Sequence, residues 1–177
     1  MARSYVTTVA LVLAGIGCVL PGPAAAADSK PRSAPGPGQV EVQQVDVRNS
    51  PVGPVVLLKV KNKAIPIFVD AIVAESIRSA LTGQKTRRPL THELMRAILE
   101  GYDGKVSQVI VTLKDGTFYA ALSVVLRDTT KVFDSRSSDA IALAVHFKAP
   151  ILVSQELVDS AGVDLEEPAP KPRGSET

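Results

Sequence analysis

The chain has no tryptophan, few aromatic residues (4%) and one cysteine, Cys18. A single thiol excludes an internal disulfide and a cysteine-built metal centre. Because Cys18 falls in the leader described below, a processed chain carries no thiol chemistry at all. Charge of one sign is also scarce. A formal net charge of +2 announces no strongly basic nucleic-acid-binding domain, although local patches remain open to it. There is no Gly-Lys-Ser/Thr phosphate loop, no nucleophile elbow, no His-Glu-x-x-His signature and no internal repeat. What the 177 residues do contain is 45% hydrophobic residues, enough for one domain with a real core.

The ends of the chain read differently from its middle. Arg3, the apolar run from Val6 to Leu20, then Pro21-Gly22-Pro23 and Ala24 to Ala27 form a secretory signal peptide over residues 1–27. The run is short for a membrane span and its exit is wrong for a stop-transfer flank, so the mature chain is expected to have no membrane span. Export to the periplasm or the extracellular space is the expectation. Lipoprotein anchoring through Cys18 is not expected, because Gly15 stands where a larger aliphatic residue is usual. Residues 28–39 form a Pro-rich spacer, with Lys30-Pro31-Arg32-Ser33-Ala34-Pro35, and residues 166–177 a second polar, Pro-rich tail. The folded unit is expected over residues 40–165.

Within that unit, Val40, Val42, Val45 and Val47 read as a first strand, and Val55 to Val60 with Ile65 to Val69 as a hairpin, Pro66 marking an edge or bulge. From Ala71 to Thr82, Val73, Ile77, Ala80 and Leu81 share a helical face opposite Glu75, Arg78, Ser79 and Thr82, and Gly83 ends the helix. Lys85, Arg87 and Arg88 form a local basic cluster. Thr91 is placed to cap a helix to about Glu100, with Leu94, Met95, Ile98 and Leu99 inward and His92, Glu93, Arg96 and Glu100 outward. Asp115-Gly116 joins Val106–Leu113 to Phe118–Leu126, and a further reversal at Asp128 leads into Val132-Phe133-Asp134. Pro150 to Val153 is a last short strand. Hairpins grouped between helices define an α+β class: a largely antiparallel sheet built from hairpins, with three to four short helices packed on it.

The stretch Asp134-Ser135-Arg136-Ser137-Ser138-Asp139 followed by Ala140 to Ala144 joins a strand end to an alanine-rich helix through two carboxylates and a guanidinium. Serines there suit a helix cap, and an acid suits the positive end of the helix dipole. Phosphodiester hydrolysis needs developing negative charge neutralised and a group that handles the proton of the attacking water. Glu93, Asp134 and Asp139 have the chemistry to ligate a divalent cation, His92 that of a base, and Arg136 with Arg87 and Arg88 that of phosphate contacts. This spacing permits phosphoester chemistry without demanding it.

Three blocks carry a resemblance. Ile65-Pro66-Ile67-Phe68-Val69, then Arg88-Pro89-Leu90-Thr91-His92-Glu93-Leu94, then Asp134 to Ala144 with Ala149-Pro150-Ile151, resemble the bifunctional nuclease family, over roughly Val40 to Val163. The resemblance implies a self-associating α+β domain with nuclease activity on DNA and RNA. It departs from the family's usual pattern at four places. Asp70 stands for a Gly, Val73 for a Glu, Glu93 for an Asp and Ser137 for a Pro, the last one suited to a first helical turn.

The leading expectation is an exported, homo-oligomeric domain that hydrolyses nucleic acid with a magnesium or manganese ion. His92, Glu93, Asp134 and Asp139 are the expected catalytic residues, Arg88 and Arg136 the substrate contacts, and Glu93, Asp134 and Asp139 the metal ligands. The alternative is a catalytically inactive ligand-binding or interaction module of the same fold, in which Asp139 caps, Arg136 pairs with Asp134 and His92 packs by Thr91.

Overall fold

The computed structural model describes residues 35–165. The expected signal peptide, most of the spacer and the C-terminal tail lie outside those residues. The described chain runs β1 (Gln39–Glu41), β2 (Gln44–Ser50), β3 (Gly53–Val60), β4 (Lys63–Phe68), α1 (Ala71–Thr82), α2 (Thr91–Gly101), β5 (Gly104–Lys114), β6 (Thr117–Leu126), β7 (Thr129–Arg136), α3 (Ser137–Phe147), β8 (Ile151–Ser154), α4 (Gln155–Ala161) and β9 (Val163–Asp164). The α+β class holds, with four helices and predominantly antiparallel, hairpin-built pairing. Two sheets rather than one carry it, in the orders β1-β8-β5-β6-β7 and β2-β3-β4-β9. Among the described residues only β5 and β8 run parallel.

Local chemistry explains the turns. Asp115 (φ 51°) and Gly116 (φ 74°) give the β5–β6 hairpin two left-handed residues, matching the twist of the strands. A register shift between Val106 and Gln108 bulges β5, and the Ser107 hydroxyl donates to the Ser123 carbonyl across it. On β4, β9 covers only Lys63 and Ala64, so Pro66 sits at an open edge, as its missing donor requires.

One apolar core unites the sheets. Val109 and Val111 of β5, Ala120 and Leu122 of β6 and Ile151 and Val153 of β8 present a common buried face. Onto it packs α3, whose Ala140 to Ala144 are all buried. Helix α1 lies between α3 and the β2–β3 hairpin, and Val56, Leu58, Ile65 and Ile67 close the core from the four-stranded sheet. Burying small side chains lets α3 approach its neighbours closely, which fixes its first turn firmly in space. No helix among the described residues is long and apolar enough to cross a membrane.

Several local expectations are corrected. The first strand is two strands: β1 joins the five-stranded sheet beside β8, while β2 joins β3. Helix α1 is rotated, burying Ser76 and Ser79 and leaving Leu81 exposed, because the serines find partners across the helix interface. Helix α2 departs most: Leu94, Met95 and Ile98 lie in solvent, and His92 is its buried residue. Its N-cap is Leu90 rather than Thr91, because the Glu93 carboxylate reaches back to accept the Leu90 N–H.

Candidate functional site

Three helix N-termini meet around one guanidinium. Strand β7 ends at Arg136, whose extended backbone (φ −61°, ψ 141°) makes it the N-cap of α3. The expected serine cap is not made there. Instead Arg136 folds over the first helical turn and donates to Asp139, from Nε to Oδ2 at 2.8 Å and from Nη2 to Oδ1 at 3.2 Å. From the first turn of α2, His92 Nε2 lies 3.3 Å from Asp139 Oδ1. From the start of α1, the N-cap Asp70 brings Oδ2 to 3.9 Å from Arg136 Nη1. The rigid α3 places Asp139 between His92 and Arg136, and the helix dipoles favour negative charge at this point.

The protonation states follow from these contacts. Burial pushes the Asp139 carboxyl up, but hydrogen bonds from Arg136 and His92, and the charge of both, hold it below the usual range. It is an ionised acceptor at neutral pH. With Nε2 turned to Asp139, the other ring nitrogen of His92, Nδ1, is buried without a partner. The imidazole therefore backs Asp139 from the interior, while Arg136, with a side chain 68% exposed, faces solvent.

The remaining expected residues stand apart. Glu93 faces the other side of α2. Its Oε2 accepts from the Leu90 N–H and the Thr86 hydroxyl, both at 3.0 Å, and its Oε1 lies 3.0 Å from the Ser79 hydroxyl. Burial raises its pKa, but these bonds together outweigh that and lower it, so Glu93 is a charged structural clamp on the start of α2. Asp134 is exposed on β7 opposite Ala121, with no ion pair among the described residues, so the expected Arg136–Asp134 pair gives way to Arg136–Asp139. Arg88 is exposed on the loop before α2, its carbonyl accepting from the Thr86 hydroxyl, and makes no bond to the Asp139 cluster.

The expected metal ligands, Glu93, Asp134 and Asp139, thus do not gather. Among the described residues no group of three or more His, Cys, Asp and Glu side chains is placed to hold a metal ion. The donor set of the described residues does not fit the expected magnesium or manganese.

Two features escaped the sequence reading. The first is a buried polar junction of the three long helices: Ser76 Oγ of α1 lies 2.9 Å from His146 Nε2 of α3, and Ser79 links on to Glu93 of α2. Burial pushes the His146 pKa down, as do His92 and Arg96, against the raising influence of Glu93. A signal existed, since Ser76 falls three residues after Val73 on the apolar face of α1 and His146 interrupts an apolar helix. The second is an open groove of about 960 Å³ between α2 and the β6–β7 hairpin. It is lined by Met95, Ile98, Leu122, Val124 and Phe133 among others, and reaches Asp134 and Ser135 beside the Arg136 cluster.

Fold and site together describe an α+β domain with a solvent-facing guanidinium, an ionised carboxylate and a buried imidazole at a junction of helix N-termini. The chain belongs to the bifunctional nuclease domain family, whose sequence pattern matches residues 55–166. It is 33% identical over 129 residues to an uncharacterized protein of Mycobacterium tuberculosis, found alike in strains CDC 1551 and H37Rv, covering 71% of this chain and 77% of that one. It is 26% identical over 123 residues to bifunctional nuclease 2 of Oryza sativa subsp. japonica, covering 66% of this chain and 38% of the rice protein.

Proposed function

We propose that the chain cleaves phosphodiester bonds of DNA or RNA at the Arg136–Asp139–His92 cluster. The observation that carries this reading is the convergence of three helix N-termini on one exposed guanidinium with a carboxylate–imidazole pair behind it. An incoming phosphate takes the outer face of Arg136 and the field of the helix ends. Asp139 then accepts the proton of the attacking water, and His92 steadies the carboxylate from behind. Arg88 is assigned to the flanking nucleic-acid backbone, where an exposed guanidinium on a loop suits a mobile phosphate contact. The family's name and that of the rice relative support the substrate class. The leader at residues 1–27 supports export, which mass spectrometry of the processed N-terminus tests.

The functional test incubates the purified chain with single- and double-stranded DNA and RNA, with magnesium, with manganese and with chelator. Cleavage should be lost in Asp139→Ala and strongly reduced in Arg136→Ala. Activity unchanged in both variants refutes the site. Activity abolished by chelator would mean that a cation is held by fewer protein ligands than expected and by the substrate phosphates themselves.

A second reading, a catalytically inactive module of the same fold, is favoured by one observation. Arg136, Asp139 and His92 already satisfy one another, and His92 Nδ1 is closed to solvent. That reading predicts no turnover on any of the four substrates while Asp139→Ala still destabilises the fold.

A further inference from the structure

The groove between α2 and the β6–β7 hairpin is apolar along its length and charged at its ends. Leu122 and Val124 make a buried floor, while Met95 and Ile98 of α2 and Phe133 of β7 make walls that are 40%, 50% and 48% exposed. The strand register explains the run. Leu122 opposes Phe133, Val124 opposes Lys131 and Leu126 opposes Thr129, so these side chains share one face of the hairpin. From Thr129 to Ser135 the groove follows β7 for roughly 20 Å, at about 3.3 Å per residue. Asp134 and Ser135 stand at one end. At the hairpin end stand two cations, Arg127 and Lys131. Neither makes an ion pair among the described residues, and the neighbouring acids Asp103 and Asp128 are not part of the lining. Lys131, opposite Val124, is placed as a lysine is when its stem lies on apolar surface and its ammonium stays in water.

This distribution selects among occupants. A nucleobase lying in the groove would find no partner for its polar edge between the two ends, because the middle is hydrocarbon. A long flexible chain with one anionic head matches both parts at once. We propose that the groove binds a single-chain fatty carboxylate, its acyl chain over Leu122 and Val124 and its carboxylate on Arg127 and Lys131. A guanidinium takes a carboxylate through two parallel N–H bonds, and the ammonium adds a second positive charge to the same mouth. Asp134 bounds the other end, since an exposed carboxylate offers an acyl methyl nothing to pack on. The site is distinct from the Arg136–Asp139–His92 cluster and does not depend on the reaction proposed there.

The test is isothermal titration of the full-length chain with octanoate, decanoate and dodecanoate, each below its micelle concentration. Dodecanoate should bind saturably, one molecule per chain, and affinity should rise roughly tenfold for every two methylenes added, each buried methylene being worth about fourfold. Dodecyltrimethylammonium, with the same tail and the opposite charge, should bind several-fold more weakly. The double variant Arg127→Gln/Lys131→Gln should weaken dodecanoate several-fold and remove the preference for the anionic head. Ile98→Asp, on the groove wall, should weaken every chain length, and Val52→Asp, exposed on the remote β2–β3 turn, none. All these positions except the floor are solvent-exposed, and the comparison of ligands on the unmodified chain needs no variant at all. The proposal is overturned by the absence of saturable dodecanoate binding, by equal affinity for the three chain lengths, or by equal binding of the two head groups. Affinity that falls as protein concentration rises gives the groove to a second copy instead, and sedimentation with phosphatidylglycerol vesicles without dodecanoate binding gives it to a membrane surface; either result also overturns the proposal.

Discussion

Truncating Asp139 to alanine probes the junction most directly. His92 is only 5% exposed, and its Nε2 has Asp139 as its partner. With Nδ1 already unpaired, the variant leaves the ring with both nitrogens buried and unsatisfied. Leaving a buried polar group without its partner costs about 1–3 kcal/mol. The Arg136 side of the contact faces solvent and adds little, because water replaces it. A loss of about 2 kcal/mol in a domain of this size lowers Tm by roughly 8 °C. Thermal unfolding followed by circular dichroism should show that fall for Asp139→Ala and a much smaller one for Arg136→Ala. In a double-mutant cycle with His92→Phe, most of the Asp139→Ala cost should vanish, since phenylalanine has no nitrogen to orphan. Two results refute the view that the carboxylate holds the imidazole. One is an Asp139→Ala protein that melts within about 1 °C of wild type, a shift too small for an orphaned buried nitrogen. The other is an Asp139→Ala cost as large in the His92→Phe background as in the wild-type one.

Four further outcomes follow from the same geometry. The depressed pKa of His146 means that stability is complete above the ordinary histidine value of 6.5 and is lost as pH falls from there through the lowered folded value; His146→Gln should flatten the Tm profile in that window. For Glu93 and Asp139, also depressed, the added stability is present above 4.5 and 3.8 and disappears as pH falls through their lowered folded values, visible as a second, acid limb in wild type that shrinks in Glu93→Gln. Glu93→Ala should cost about 1 kcal/mol through loss of the α2 cap and should spare cleavage, as measured by urea unfolding beside the nuclease assay. Ile141→Ala, at a fully buried position on α3, should cost about 3 kcal/mol by the same urea measurement.

The sequence was informative where local rules and tertiary packing agree. Asp115-Gly116 between alternating apolar runs located the β5–β6 hairpin, and the Ala140–Ala144 run ending before Pro150 located α3. The Arg136–Asp139 contact is legible for the same reason, since it spans one helical turn, whereas the serine cap expected in that stretch is not made. It misled where partners come from far along the chain. Periodicity reveals which face of α2 is apolar but not what lies against it, so Leu94, Met95 and Ile98, expected inward, are exposed instead. Polarity placed Ser79 outside, although its hydroxyl reaches Glu93 across a helix interface. Neighbouring residues also separate in function: His92 points at Asp139 while Glu93, one position on, points at Ser79 and Thr86. That divergence explains why the expected three-carboxylate metal set never assembles.

The split between β1 and β2 has a consequence for how the chain folds. Val42 and Gln43, the two residues between those strands, donate backbone hydrogen bonds to different sheets, Val42 to Ile151 and Gln43 to Lys59. Strand β1 completes its pairing only with β8, and β4 gains its outer neighbour only from β9. The two ends of the described chain are therefore tied to opposite halves of the fold. During vectorial synthesis, β1 waits for nearly the whole domain to emerge, and such distant closures are slow because chain entropy is lost before contacts repay it. The edge of β5 that β8 later covers stays open throughout that interval, so the fold carries its greatest aggregation hazard until β8 is made.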